Sequence, residues 1–443
     1  MPRSCSLYIA AAIAWLVPAV SGAQGMIEVY RSGVKALRIA VPELRLSGEK
    51  QDPEAVLLAG EMAERLRRTL EGSGLLEVVD PKAYIEDPKA VGVLPEQQVW
   101  SNWAPLGADA LVQGRMGFGG GKWVVELRLY DVGLAAFRAG KRYKGTEDQL
   151  PYMLDRFADF VVGELTGAEG IAASRLAFIS DGSGTREIYL MNLDGSARKA
   201  VTENGSINLS PHFTRDGKGI LFTSYIRRGK PHLYFYEILT GRLLPFWTKG
   251  SLNLGGVESP GGAEVAFIQD DDAGNTNLFI YSKKTRQIRQ LTEGYGITVS
   301  PTWAPDGARL AYVSDRSGGP QVYVVGAAGG PSKRLTFRGN YNTSPAWSPK
   351  GAEIAFVRRE GSELNLYLID TEGAREIQLT SGARSNEDPC WSPQGDYLVF
   401  SSNRKGRYDL YLLGAGGHFV RRLTEGPANE TQPAWSPKNT SSE

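Results

Sequence analysis

One short pattern recurs six times through the C-terminal two-thirds of the chain at a nearly fixed spacing. The clearest copies read SPTWAPDG from Ser300, SPAWSPKG from Ser344 and DPCWSPQG from Asp388. SPHFTRDG from Ser210 and a worn GGVESPGG from Gly255 come before them, and a clipped QPAWSP from Gln432 comes after. The first Pro, or its equivalent, falls at 211, 256, 301, 345, 389 and 433, in steps of 45, 45, 44, 44 and 44 residues. A period of this length means that each copy opens one supersecondary unit, which buries its faces only against its neighbours.

After each Pro-Asp-Gly-type turn comes a short apolar run: Leu310 to Val313, Ile354 to Val357, Leu398 to Phe400. A polar turn follows, then an alternating Tyr-containing run: Gln321 to Val325, Leu364 to Ile369, Asp409 to Leu413. Each unit closes on Leu-Thr, at Leu291-Thr292, Leu335-Thr336, Leu379-Thr380 and Leu423-Thr424. Short β-branched and aromatic runs bounded by Gly, Asn, Asp and Pro predict four strands joined by hairpins, the content of one propeller blade. The region opens at Arg175 with a second-strand-like run, Leu176 to Ser180, and lacks a first strand; the last copy, Gln432 to Pro437, is a first strand with nothing after it. The sequence therefore predicts an all-β six-bladed β-propeller over 167–443, closed by the C-terminal strand. Phe213, Trp303, Trp347, Trp391 and Trp435 are expected to pack between blades, and none of the repeated residues reads as catalytic.

Residues 1–23 read as an export signal. Arg3 supplies a positive start, Leu7 to Val20 is apolar but short for a membrane span, and Ser21-Gly22-Ala23 offers small residues for cleavage. The expected product is exported to the periplasm, does not span a membrane and is monomeric. Of two cysteines, Cys5 leaves with the leader, and Cys390, beside Trp391, reads as a buried inert thiol. Formal net charge is +1, and losing Arg3 takes it to about zero, so no global basic field for nucleic acid exists. Residues 24–166 have a different grammar and predict a small N-terminal α/β domain, so the chain is multidomain. Strands are expected at Ile27–Tyr30, Arg38–Val41, Leu75–Val79, Ala110–Arg115, Trp123–Tyr130 and Arg142–Tyr143. Helices are expected at Asp52–Leu70 and Asp148–Leu165.

Candidate chemistry is thin. An exported hydrolase or peptidase accessory protein of the prolyl-oligopeptidase type is the enzymatic alternative, but no Gly-x-Ser-x-Gly elbow occurs, and the sequence stops six residues past Pro437. His212, His232 and His418 are scattered through the blades and have no metal-ligand spacing. Asp270-Asp271-Asp272 with Asn275 and Asn277 falls short of a calcium loop and reads as a solvated hairpin. The glycines at 117 and 119–121 read as a hairpin, because no helix start follows them to hold a phosphate. No cofactor or metal is expected. A small-molecule or glycan-binding propeller is a third class, and it would show inward aromatic and polar clusters without the N-terminal domain.

The order of parts carries a resemblance. A leader is followed by a small α/β domain opening on IEVYRSGVKALRIAVPEL, then by the junction ELTGAEGIAASRLAFIS over 164–180 and the propeller. This is similar to the TolB family, the periplasmic propellers of the Tol–Pal system, over essentially the whole chain after the leader. The worn copy at Gly255 departs from the family's Pro-Asp-Gly pattern. The resemblance implies a non-enzymatic scaffold that binds the peptidoglycan-associated lipoprotein Pal through the propeller and the inner-membrane protein TolA through the mature N-terminus. It also implies support of outer-membrane integrity and cell division, and a propeller that some bacteriocins exploit for import.

Two candidate partner sites follow. The segments between each Leu-Thr and the next innermost strand should converge on one mouth of the channel: Asn208, Asn253, Tyr295, Thr298, Asn340, Tyr341, Asn342, Arg384, Asn386, Glu387, Asn429 and Glu430. Tyr and Arg favour binding hot spots and Asn bonds in both directions, while ordinary turn chemistry explains any one Asn equally well. The charged loops Ser314–Gly319 and Asn403–Arg407 are expected on the opposite face. At the N-terminus, Ile27, Glu28 and Val29 alternate, so they can add as a strand to a partner's edge or pair permanently within their own domain.

Overall fold

The computed structural model describes residues 36–85, 92–227, 229–271, 273–417 and 419–437. The expected leader and the segment holding Ile27, Glu28 and Val29 lie outside the described residues, as does His418.

The N-terminal domain runs β1 (Leu37–Ala40), β2 (Arg45–Gly48), α1 (Pro53–Glu71), β3 (Leu76–Val78), β4 (Ala110–Gly119), β5 (Lys122–Asp131), β6 (Ala136–Gly145) and α2 (Leu150–Thr166). The sheet order is β3-β1-β4-β5-β6, with β2 also pairing β4. Contacts of β4 with β1 and β2 are parallel, and β4-β5-β6 is an antiparallel meander. Asp52 caps α1 by accepting the Ala55 amide at 2.8 Å, and Pro53 occupies the first turn. The buried stripes of α1 (Ala55, Ala59, Met62, Ala63, Leu66, Leu70) and α2 (Leu150, Leu154, Phe157, Val161) cover one face of the sheet. β6 is much longer than the expected Arg142–Tyr143. Its Arg, Lys and Gly residues carry little strand propensity, and pairing with β5 along its whole length holds it instead. Gly120 and Gly121, at φ 59° and 75°, make the two-residue β4–β5 turn that the glycine run anticipated.

Six four-stranded antiparallel sheets follow. Innermost strands Asn208–Phe213, Asn253–Glu258, Thr298–Trp303, Asn342–Trp347 and Asn386–Trp391 open the second to sixth blades. The first blade, Arg175–Ser180, Glu187–Asn192 and Lys199–Ala200, takes its innermost strand from Glu430–Trp435, registered Glu430 to Ser180 and Trp435 to Leu176. Every innermost strand carries a bulge just before its Pro position. Its extra residue is left-handed in all six blades: Ser210, Ser300, Ser344, Asp388 and Gln432 at φ 49–54°, and Gly255 at φ 62° in the worn copy. The worn copy thus keeps the backbone path and uses the residue that adopts it without steric cost. The Trp set packs between blades, and the indoles of Trp303 and Trp391 donate to Val257 and Ala346 of the preceding blade at 3.1 and 3.0 Å.

The two helices meet one end of the ring. Arg65 pairs with Asp155 at 2.6 Å and with propeller residue Asp194 at 2.7 Å, and the Tyr397 hydroxyl donates to the Ser73 carbonyl at 2.9 Å. Phe419 lies so close to Gly74 that a Cβ there would clash with its ring. A cavity of about 370 Å³ remains between the domains, lined in part by Arg68, Asp159, Asp194 and Arg421. Asp159 fixes the linker by accepting the amides of Ala172 at 2.6 Å and Ala173 at 3.0 Å.

Two outcomes are expected. Deleting residues 430–443 should lower the melting temperature by roughly 10 °C, because a buried Trp is worth about 3–5 kcal/mol and the first blade gains an open edge. Deleting only 438–443 should leave it unchanged in the same calorimetric scan. Burial pushes the Asp159 carboxyl up to about 6, so the folded chain holds this proton where the unfolded chain, near 3.8, has lost it. Stability from this group should therefore fall as pH rises from about 4 to about 6 and level off above. Urea titrations across that window should show Asp159→Asn losing this component of the slope.

Candidate functional site

The end of the ring away from the helices forms an open mouth, and blade topology decides what lies there. Each innermost strand starts at the mouth and the second strand returns antiparallel, so Thr298 registers with Ser314 and Asn386 with Ser402. The hairpin after the second strand therefore lies at the same end as the lead-in loop. Ser314–Gly319 and Asn403–Arg407 are on the mouth, which corrects the expectation that they face the other way. The contact is direct. Asp315 Oδ1 accepts the Ile297 amide at 2.7 Å, Asn403 Oδ1 accepts the Ser385 amide at 2.9 Å, and Asp270 Oδ1 accepts the Leu252 amide at 2.8 Å. In four blades one acid or amide at the start of this hairpin (Asp181, Asp270, Asp315 or Asn403) fixes the lead-in loop of the same blade, and in the other two the backbone amides of Tyr225 and Arg359 donate to Ile207 and Tyr341 instead.

The candidate residues divide into two layers. Asn208, Asn253, Thr298, Asn342, Asn386 and Glu430, the first residues of the six innermost strands, are buried. Five of them bond into the preceding blade, whereas the Glu430 carboxylate pairs within its own. Asn208 Nδ2 donates to Glu187 Oε2 at 3.0 Å, and Asn253 Nδ2 meets His232 Nδ1 at 3.0 Å. Asn342 Nδ2 donates to Gln321 Oε1 and Asn386 Nδ2 to Asn365 Oδ1, both at 2.9 Å. The Thr298 amide donates to Thr276 Oγ1 at 2.7 Å, and Glu430 forms an ion pair with Arg198. These residues shape the mouth from beneath. The closing Thr residues join the same layer: Thr336 Oγ1 accepts the Val322 amide at 3.0 Å and donates to Gln321 Oε1 at 2.7 Å.

The second layer faces outward. Tyr295, Asn340 and Arg384 are exposed, and Tyr341, Glu387 and Asn429 are half-buried. The Arg359 guanidinium sits 4.0 Å from the Tyr341 ring centroid, and the Tyr408 hydroxyl donates to Glu387 Oε1 at 2.6 Å. Asn429 is tied to Asp181, its amide N–H and Nδ2 donating at 2.7 and 2.8 Å. Sequence reasoning placed Tyr295 and Ile207 in these segments but missed Ile297 and Phe337. Tyr295 is 89% exposed, Phe337 69%, Ile297 54% and Ile207 45%, all in lead-in loops. Large apolar residues between a closing apolar-Thr pair and a buried polar strand start were the signal, because turn chemistry does not call for them. Arg316 and Arg404 belong to the fold: Arg404 donates to Asn386 Oδ1 at 3.0 Å, and Arg316 lies over the rings of Tyr312 and Tyr323.

Deeper in the channel, Asp388 Oδ2 accepts from the Gln432 amide and from Ser401 Oγ, and burial with Glu387 nearby pushes its carboxyl up to about 6. Burial pushes the Cys390 thiol up to about 11 and lowers His212 to about 4, so both are neutral at pH 7. Among the described residues no three His, Cys, Asp or Glu side chains are grouped to hold a metal ion. The Asp271 carboxylate is occupied by the amides of Ala273 and Asn275 in its own hairpin.

Comparison with known proteins bears on both domains. A family model described as the TolB beta propeller domain matches residues 170–274 and 258–439, and one described as the TolB amino-terminal domain matches 25–136. A Tol-Pal system protein TolB of Desulfosudis oleivorans is 35% identical over 259 residues, 58% of this chain and 58% of that protein. One of Anaeromyxobacter dehalogenans strain 2CP-C is 36% identical over 277 residues, 61% of this chain and 60% of that protein. The chain thus spans about three-fifths of the length of the curated relatives it matches. The crystal structure of TolB from Acinetobacter baumannii aligns with a TM-score of 0.77 at 25% identity, covering 91% of this chain and 97% of that one.

The two-layer arrangement has a measurable consequence. Asn342 also donates to the Arg338 carbonyl and accepts from Arg358 Nε, both at 2.9 Å. Asn342→Ala should cost about 2 kcal/mol in urea unfolding by stranding these partners, whereas Asn340→Ala should change stability by less than about 0.5 kcal/mol.

Proposed function

This chain belongs to the TolB family, and we propose that it is a non-enzymatic periplasmic scaffold of the Tol–Pal system. In this reading residues 1–23 are removed on export, 24–166 form the N-terminal domain and 167–443 the propeller. The mouth binds the peptidoglycan-associated lipoprotein Pal, and the mature N-terminal segment around Ile27, Glu28 and Val29 binds TolA. The scaffold thereby supports outer-membrane integrity and cell division.

The observation that carries the mouth assignment is its outer layer. Tyr295, Ile297, Phe337 and Ile207 are exposed there, beside Arg384, Asn340 and the Arg359–Tyr341 stack. Aromatic and arginine anchors ringed by amides suit a protein partner. The buried layer below holds these loops in place before binding, which lowers the ordering cost of association. The opposite end is partly occupied by the α/β domain, so the mouth is the end of the ring left open.

Calorimetric titration with purified lipoprotein tests this. Tyr295→Ala, Tyr341→Ala and Arg384→Glu should each weaken binding by about 1–3 kcal/mol. Lys284→Glu, on an exposed turn at the opposite end, should leave binding unchanged. Equal losses at both ends, or none at either, remove the mouth from consideration. Removing residues 24–28 should abolish binding to TolA with the melting temperature unchanged, and a large loss of stability would instead mark a permanently paired strand.

A further inference from the structure

We propose that the open face of the N-terminal sheet docks on an anionic phospholipid surface, at the end of the molecule farthest from the mouth. The helices α1 and α2 cover one face of this sheet and also make the contacts with the propeller, so the other face points away from the ring; Trp100 and Trp103 cover it around Leu111 and Tyr130, and the rest of β4, β5 and β6 is open. Strand alternation sorts its residues. Met116, Trp123, Val125, Leu127 and Leu129 belong to the core beneath the helices. Their neighbours lie on the open face, registered Arg115–Glu126–Arg142 and Gly117–Val124–Lys144 across β4, β5 and β6. Lys122 and Arg128 continue the same face of β5.

The charge on this face is one-sided. On β4, β5 and β6, Arg115, Lys122, Arg128, Arg142 and Lys144 share it with one carboxylate, Glu126, in a chain whose formal net charge is only +1; Glu77 on β3 is paired with Arg38, and Glu96 lies toward Tyr130. Glu126 pairs with Arg115 and Arg128, each at 2.7 Å, which leaves the face strongly cationic. Arg115, Lys122, Arg142 and Lys144 are exposed. The nearby acids Asp131 and Glu147 are engaged, accepting from the Leu134 amide at 2.8 Å and the Trp123 indole at 3.2 Å. Cations on an edge strand guard against unwanted pairing, and that accounts for Arg142 and Lys144 on β6. It does not account for Arg115, Lys122 and Arg128 on the strands inside it.

The face ends on an apolar tip. Leu134, in the β5–β6 turn, is 76% exposed. Phe137 is exposed beside it, with the Arg128 guanidinium carbon 5.7 Å from its ring centroid. A flat field of long cationic side chains with an apolar tip matches a lipid surface, where phosphates meet the cations without fixed geometry and the tip enters the acyl boundary. An acidic polypeptide paired along β6 would satisfy the charge but leave Leu134 in water.

Vesicle co-sedimentation tests the proposal, using the chain without its first 23 residues, whose apolar run would itself seek lipid. The protein should sediment with phosphatidylcholine vesicles containing about a third phosphatidylglycerol at about 50 mM salt, and not with phosphatidylcholine alone. Binding should be lost at about 500 mM salt. A triple variant Lys122→Glu, Arg142→Glu, Lys144→Glu should bind at least about tenfold more weakly. The matching Gln variant should bind at intermediate strength, with circular dichroism confirming its fold. Leu134→Ser should weaken binding, and Tyr295→Ala should not. Absence of sedimentation with phosphatidylglycerol vesicles, or undiminished binding by the folded triple variants, overturns the proposal. Binding of soluble polyglutamate in place of vesicles does so too, and marks the face for an acidic polypeptide instead.

Discussion

A buried hydrogen bond from the first residue of an innermost strand to the third strand of the preceding blade organises the ring. Asn208 to Glu187, Asn253 to His232, Asn342 to Gln321 and Asn386 to Asn365 repeat it, and Thr298 to Thr276 does the same with the backbone. Each is worth about 1 kcal/mol net, but an unmet partner in so dry a place costs more than the bond contributes. The bonds therefore specify blade angle and register more than they add stability, and the apolar packing between blades supplies the bulk of the cohesion.

The antiparallel return within each blade converts that register into a surface. Lead-in loops and second-to-third hairpins gather at one end, fixed to each other by Asp181, Asp270, Asp315 and Asn403. The other end keeps the short Pro-Asp-Gly turns, and at the first and sixth blades it receives α1 and α2 through Asp194 and Tyr397. The molecule is thus polar in the geometric sense. An aromatic and amide-rich mouth lies at one end, and a cationic sheet lies at the other with the two helices between.

Much of this was legible in the sequence, for physical reasons. The 44–45-residue period, the closing Leu-Thr and the strand borrowed from Gln432 onward are local patterns tied to a backbone geometry, and the structure has six blades closed by that strand. The candidate site was only partly legible. The amides at 208, 253, 342 and 386 advertise binding chemistry by residue type, yet burial makes them structural, and burial depends on the neighbouring blade. The loops at 314–319 and 403–407 were assigned to the wrong end because charge was read in place of strand direction. β6 was underestimated because its order comes from β5 and not from its own composition. Ile297 and Phe337 were passed over because one exposed apolar residue is unremarkable, and their convergence with Ile207 and Tyr295 exists only once the ring has closed.

The central claim is that a preformed mouth, held from below by buried inter-blade bonds, is the partner face. Amide hydrogen exchange, with and without purified peptidoglycan-associated lipoprotein, measures this directly. The account predicts added protection in the lead-in loops over 293–298, 337–342, 381–386 and 425–430 and in the adjoining hairpins. It predicts no change at the Pro-Asp-Gly turns, and strand starts that are already slow to exchange in the free protein. Protection at the opposite end, or strand starts that become ordered only when the lipoprotein is added, would contradict it.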